Sequence, residues 1–391
     1  IFLLSKTNLI TYNPLLPEVV GASVLPGHVV APLRRILRRT RIRMVDVHRI
    51  DFEARRVHYC SPIADSVAFD ELVFATGLDA NMSLIPGMAE HGLPLKTLGD
   101  ALFLRNRLIR NLEQATLTYD QQQSRELTTF VVAGGGFSGV EVAGELFDLL
   151  NQAAPLFKRV EMQDCAVHIV HGPEFLLPEV PQSLGRYAQQ LLSRRGIRVH
   201  LKARVVAVDA HGVELRSGVR IAAGTVVSTV GTRAHDFIAQ LPFADARGRL
   251  PTEANLRVRD TEHLWALGDC AVVPNAHDGK PCPTTALFAV QQAKVLGDNL
   301  AAAVRQQPTK PFRYRSRGQL AAIGHRKAVA EVFGVKLSGL PAWLLWRAFY
   351  LARIPTLARK VRLFLEWNWA LLFSKDVALL GFERSAAPKR D

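Results

Sequence analysis

The sequence is poor in sulfur, with four cysteines and four methionines in 391 residues. The cysteines (Cys60, Cys165, Cys270 and Cys282) are scattered, and no two form a C-x-x-C pair. That spacing excludes a zinc ligand set and a secreted disulfide framework, and it favours a reducing compartment. Long apolar runs are missing as well: nothing reaches the ~20 residues that a bilayer-spanning helix needs. No signal-peptide pattern stands in these residues. Disorder is excluded by composition, with 48% hydrophobic and 21% charged residues. A chain of this length has room for two or three domains with substantial cores.

Acidic residues are in deficit, 35 against 49 Lys and Arg, which leaves a net charge of +14. The imbalance is local. From Lys310 onward there are 16 Lys/Arg and 5 Asp/Glu, so this tail carries +11 of the total. Four of the five tryptophans (Trp343, Trp346, Trp367 and Trp369) lie there too. Basic residues interleaved with Trp, Phe and Leu suit an anionic membrane surface better than nucleic acid. Two amphipathic helices are expected in the tail, separated at Pro355. Arg347, Arg353, Arg359, Lys360 and Arg362 interrupt each apolar run, so these helices should lie on a membrane and not cross it. A helix pair closing a homodimer is the alternative reading, and the two roles could coexist.

What the sequence does have is a glycine cluster in a specific context. Residues 127–146 read L-T-T-F-V-V-A-G-G-G-F-S-G-V-E-V-A-G-E-L. Residues 130–133 form a short apolar run of strand type, and Val140, Ala143 and Leu146 then recur at helical spacing. Between them Gly134, Gly136 and Gly139 satisfy G-x-G-x-x-G with a strand before and a helix after. The first glycine makes the tight turn, the second admits a pyrophosphate, and the third lets helix and strand pack closely. The phosphates meet the free N–H groups of a helix N-terminus. Dinucleotide binding follows, with an ordinary strand-to-helix turn as the alternative.

Around this stretch the chain alternates strand and helix. Residues 28–39 are expected as a helix with Pro32 in its first turn, 98–113 as an amphipathic packing helix, and 121–125 as a polar linker. Strands are expected at 166–170, 198–201, 205–209, 213–216, 256–258 and 263–266, with a helix at 183–195. The segment 226–232 is a further strand, ending at Gly231. Residues 319–333 are expected as paired strands turning at 324–327.

Four ordered motifs carry a family resemblance. They are the N-P-L-L-P-E-V segment around Pro14, the A-T-G turn holding Thr76 and Gly77, the central glycine motif, and W-A-L-G-D-C-A with Gly268 and Asp269. Together they resemble the two-dinucleotide-binding-domain flavoproteins of the pyridine nucleotide-disulfide oxidoreductase superfamily, and within these the type II NADH:quinone oxidoreductases. The resemblance implies an α/β fold of two Rossmann-like domains, one nested in the other, plus a C-terminal amphipathic membrane-docking segment. The implied boundaries are 1–118 and 245–334 for an FAD domain, 119–244 for an NAD(H) domain, and 335–391 for the docking helices. It also implies that residues 1–5 are the second strand of the first unit, with ~30 residues of strand, glycine loop and helix expected upstream. Ser5 stands where the family commonly places an acid for the adenosine ribose.

Further roles are implied residue by residue. Pro14, Thr76, Gly77, Gly268, Asp269 and Ala286 fall at FAD positions. Gly134, Gly136, Gly139, Glu141, His171 and Gly231 fall at NADH positions. Glu141 matches the glutamate beside the nicotinamide–flavin contact, while Glu145, on the same helix face, is expected to pack or to form a salt bridge. His171 replaces the more common Glu at the ribose position, so it is either a ribose or 2′-phosphate contact or a surface loop residue. Glu174 is a second candidate, and NADPH is not excluded beside NADH. The segment 283–294 resembles the family's quinone-facing A-Q-x-A-x-Q-Q, with Leu287 in place of the first glutamine and Gln291 and Gln292 retained. Gln291 is the remaining polar candidate for catalysis.

The implied function is transfer of a hydride from NADH to FAD and of electrons onward to membrane quinone, without proton pumping. The implied location is peripheral, on the cytoplasmic face of a bacterial inner membrane. A disulfide reductase would require a cysteine pair near residues 13–23, where there is none. Sulfide:quinone reductase requires two catalytic cysteines, and neither Cys165 nor Cys282 has a supporting motif. A non-catalytic dinucleotide-binding module is the third reading.

Overall fold

The computed structural model describes residues 1–60 and 64–381, so the end of the expected docking segment, 382–391, lies outside the described residues. The chain divides into two compact units, each assembled from three separate segments. One comprises Ile1–Asn8, Leu33–Asn81 and Thr232–Arg317; the other takes Leu9–Pro32, Met82–Gly231 and the chain from Gly318 onward. The segments of the two units alternate along the chain.

The second unit is built on a five-stranded parallel sheet. Its spatial order is Gly92–Pro94, Thr225–Ser228, Thr129–Ala133, Ala166–Val170 and Arg198–His200. The three central strands are buried along their whole length. Continuous apolar runs such as F-V-V-A are what a sheet covered on both faces requires. The covering helices include Leu98–Leu117, Phe137–Ala153 and Gln182–Arg195. The first starts at a capping box in which Thr97 and Asp100 satisfy each other's amides. The last stops at Gly196, whose φ of +105° suits a residue without Cβ. An antiparallel meander (Val205–Asp209, Gly212–Leu215, Arg220–Ala222) is inserted before the sheet's last strand in sequence.

The chain from Gly318 onward begins with the expected antiparallel pair, Gly318–Ala322 with Ala328–Val332, and a third strand, Val335–Gly339, extends it. Helices Leu340–Arg353 and Leu357–Leu372 follow, parted at Pro355 as expected. Trp343, Trp346, Leu363 and Trp367 join the same apolar core as Phe130, Val140 and Leu146.

The first unit contains the parallel pairs Phe2–Ser5 with Arg41–Met44 and Leu72–Phe74 with Leu264–Ala266. It also holds an antiparallel sheet of Asp46–Asp51, Arg56–Cys60 and Ala64–Ala68, and the helix Ala286–Val304. Its own core gathers Phe74, Leu250, Leu256, Trp265, Leu296 and Phe312.

Three local expectations are corrected. Residues 28–39 are not one helix: Val30–Pro32 is a strand pairing antiparallel with Leu9–Thr11, and only Leu33–Ile36 is helical. Pairing with Leu9–Thr11 holds these residues extended, a backbone that Ala31 also favours as the residue before Pro32. Residues 121–125 are not a linker but part of a helix, Gln121–Leu127, capped by Asp120, whose Oδ1 accepts from the Gln122 and Gln123 amides at 2.8 and 3.3 Å. Residues 256–258 form only isolated bridges, because φ of +76° at Leu256 breaks the strand.

Candidate functional site

In the second unit the glycine motif is folded as its spacing demands. Gly134 adopts φ of +116°, and a Cβ there would stand 2.5 Å from Thr229 Oγ1 and 2.9 Å from Val230 Cγ1. A Cβ on Gly139 would be driven into the Gly134 carbonyl. Gly136 is different: its Cβ direction meets only the end of the Glu179 side chain, at 3.3 Å. Gly136 is also the N-cap of Phe137–Ala153, and no side chain caps that helix. Two glycines therefore serve close packing, while the third keeps the helix N-terminus approachable by an anion. Gly231, after the strand Thr225–Ser228, adopts φ of +73°.

His171 is not a surface loop residue. It is buried, and its Nδ1 accepts the Gly135 amide hydrogen at 3.0 Å, so the imidazole braces the glycine loop. Burial pushes its pKa down, which keeps it neutral. Glu174 is exposed and pairs with Lys202 at 3.4 Å.

Glu141 and Glu145 share a helix face as their spacing requires, and both are buried. Glu141 Oε1 accepts from the Ala322 amide at 3.1 Å. Burial raises its carboxyl to about 8, with the Ala322 amide opposing. Glu145 forms the expected salt bridge: its Oε2 lies 2.9 Å from Lys375 Nζ and accepts from Ser23 Oγ at 2.8 Å. A third buried acid, Glu18, went unrecognised in the sequence. Its Oε2 accepts from Trp367 Nε1 at 2.8 Å, and burial, reinforced by Glu145, raises it to about 8. The only available signal was an acid inside the apolar run L-L-P-E-V-V. Pro14 sits just before this segment, in the turn Asn13–Leu15.

In the first unit Thr76 and Gly77 follow the strand Leu72–Phe74. Gly77 has φ of +70° with open space on its Cβ side, and the Thr76 carbonyl lies 3.2 Å from His235 Nε2. Gly268 and Asp269 form a tight turn, Gly268–Cys270, with Gly268 at φ of +71°. The Gly268 amide donates to Gln292 Oε1 at 2.7 Å. Gln292 is thereby buried and committed to the turn, while Gln291 is half-buried and Leu287 sits in the helix's first turn. Ala286 opens that helix behind Thr285, which makes no side-chain cap. Two positive-φ glycines and an uncapped helix N-terminus, cross-braced by Gln292, suit the ribitol-phosphate part of a flavin. The residues present therefore fit FAD.

Residues 1–293 match the family model for pyridine nucleotide-disulphide oxidoreductases, and residues 316–376 match the NDH2 C-terminal domain. This chain is a type II NADH:quinone oxidoreductase by family. The demethylphylloquinone reductase NdbB of Synechocystis sp. is 32% identical, over 94% of this chain and 88% of that one. The type II NADH:quinone oxidoreductase NdhA of Mycobacterium tuberculosis is 29% identical, over 94% and 81% respectively. NDH2 from Plasmodium falciparum, solved with NADH, shares the fold with a TM-score of 0.91 at 18% identity, over 96% and 94% of the two chains. The oxidoreductase thus has the α/β fold, the cofactor class and the C-terminal domain that the ordered motifs imply. Among the described residues, no helix is long and apolar enough to cross a membrane.

Proposed function

We propose that this oxidoreductase passes a hydride from NADH to FAD and electrons onward to a membrane quinone, without pumping protons. The NDH2 C-terminal domain at 316–376 carries the reading, because it separates this branch from the disulfide and sulfide reductases. No cysteine stands at 13–23, in keeping with that separation. FAD, when bound, supplies the redox chemistry, and the protein supplies orientation and proton control.

In this reading Gly134, Gly136, Gly139 and Gly231 hold the nicotinamide dinucleotide, braced by His171. Thr76, Gly77, Gly268, Asp269 and Ala286 hold the flavin, within flavin segments 1–118 and 245–334. Leu287 and Gln291 lie at the quinone end of their helix, with the half-buried Gln291 as its polar group, while Gln292 braces the Gly268 turn. Glu141, raised to about 8 by burial, keeps its proton at neutral pH. In this reading it stands beside the bound nicotinamide.

The helix Leu357–Leu372 rests on an anionic membrane surface in the same reading. Its exposed Leu357, Val361, Phe364, Leu365, Trp369 and Leu372 stand among Arg359, Lys360 and Arg362. The membrane face is cytoplasmic. Anaerobic addition of NADH to the FAD-loaded protein should bleach the flavin band, and a short-chain quinone should restore it. Bleaching without recovery overturns the quinone assignment.

A further inference from the structure

A nicotinamide-binding unit reads the adenosine ribose at the end of its second strand, where an acid accepts from the 2′-hydroxyl and repels a 2′-phosphate. Here that strand is Ala166–Val170, and the next residues are His171 and Gly172. His171 is turned inward onto the Gly135 amide and offers no negative charge. Gly172 has no side chain, and Arg204 lies across it. A Cβ placed on Gly172 would stand 3.3 Å from Arg204 Nε and 4.0 Å from its Cζ.

The backbone holds this arrangement. The Ala203 amide donates to the His171 carbonyl at 3.0 Å and the Lys202 amide to the Pro173 carbonyl at 3.1 Å, so 202–204 runs beside 171–173. Arg204 is exposed and makes no ion pair among the described residues. Of the two nearby acids, Glu174 is paired with Lys202, and Glu179 faces Gly136 at the phosphate turn. The ribose end of the site is therefore positive.

The geometry points to Arg204 as a binding residue for the 2′-phosphate of NADPH, which makes NADPH a donor for this oxidoreductase alongside NADH. An unpaired guanidinium presents a planar fork to phosphate and forms charge-assisted hydrogen bonds. The carboxylate that would oppose the phosphate is absent from the position that reads it. This rests on the proposed dinucleotide role of the glycine loop.

The test is isothermal titration of the full-length protein with NADP⁺ and NAD⁺ at physiological salt, comparing wild type with Arg204→Gln. Wild type should bind NADP⁺ at least as tightly as NAD⁺. The variant should lose about tenfold in NADP⁺ affinity, the size expected for one charged hydrogen bond, and less than about twofold for NAD⁺. Steady-state turnover with NADPH should fall in step with that affinity. Wild-type binding of NAD⁺ alone, or an NADP⁺ affinity untouched by Arg204→Gln, overturns the assignment while leaving the oxidoreductase reading intact. Failure to bind either nucleotide overturns both. Arg204 is solvent-exposed, and an unchanged melting curve for the variant establishes that any loss is one of recognition.

Discussion

Lys375 Nζ lies 2.9 Å from Glu145 Oε2, with both side chains more than nine-tenths shielded from solvent. One partner is on the helix that starts at the glycine loop, and the other lies just past the helix Leu357–Leu372. The C-terminal segment is therefore locked to the nucleotide unit by a sealed ion pair, with Ser23 as a third member.

Breaking that pair from one side strands a buried charge. Lys375→Met should destabilise the protein by about 3–5 kcal/mol, and the double variant Glu145→Gln/Lys375→Met should recover much of the loss. Urea denaturation of the three proteins measures it. A double variant no more stable than Lys375→Met would mean that the pair is not what joins the segments.

Glu18 and Glu141 make stability depend on pH. Both carboxyls are raised from 4.5 to about 8 by burial, so the folded state binds protons that the unfolded state releases. Their favourable contribution is complete below about 4.5 and is lost as pH rises through about 8, by an amount on the order of a few kcal/mol. Glu18→Gln keeps the acceptor for Trp367 and cannot ionise. Its melting temperature should match wild type near pH 5 and exceed it near pH 9. Parallel pH profiles for the two proteins would show that Glu18 is not protonated in the fold.

The three loop glycines should part ways on substitution. Gly139→Ala forces a methyl into the Gly134 carbonyl and should lower the melting temperature. Gly136→Ala meets only a flexible carboxylate at 3.3 Å, so the fold should persist while NADH affinity drops about tenfold, since the methyl occupies the pyrophosphate's approach. Thermal melts and nucleotide titration separate the two. Unchanged affinity in Gly136→Ala would remove Gly136 from the binding surface.

Gln292→Leu removes the acceptor for the Gly268 amide at nearly constant volume. An unsatisfied buried amide costs about 1–3 kcal/mol, and the turn that carries Asp269 should loosen. The flavin retained after gel filtration should fall. Full retention would show that the turn holds without Gln292.

Trp369 and Phe364 are exposed on the helix Leu357–Leu372. Replacing both with serine should weaken binding to vesicles rich in anionic lipid, with no loss of melting temperature. Unaltered vesicle binding would move the membrane contact elsewhere.

Several features needed nothing beyond the sequence. The apolar run 130–133, the three glycines and the periodic Val140, Ala143 and Leu146 dictated a strand, a turn and a helix by local rules, and the tail's spacing around Pro355 dictated two helices. The tertiary structure decided where polar side chains far apart in sequence meet. Glu18 reaches Trp367 across 349 positions, and Glu145 reaches Lys375 across 230. No period or spacing links such pairs, because they are set by how helices dock. The same holds for His171, which turned toward a backbone amide that only folding brings near, and for Gln292, drawn inward by the Gly268 turn. It holds too for residues 30–32, which became a strand because residues 9–11 lie beside them. Local propensity writes the elements, whereas burial of charge and the pairing of amides are settled only between elements.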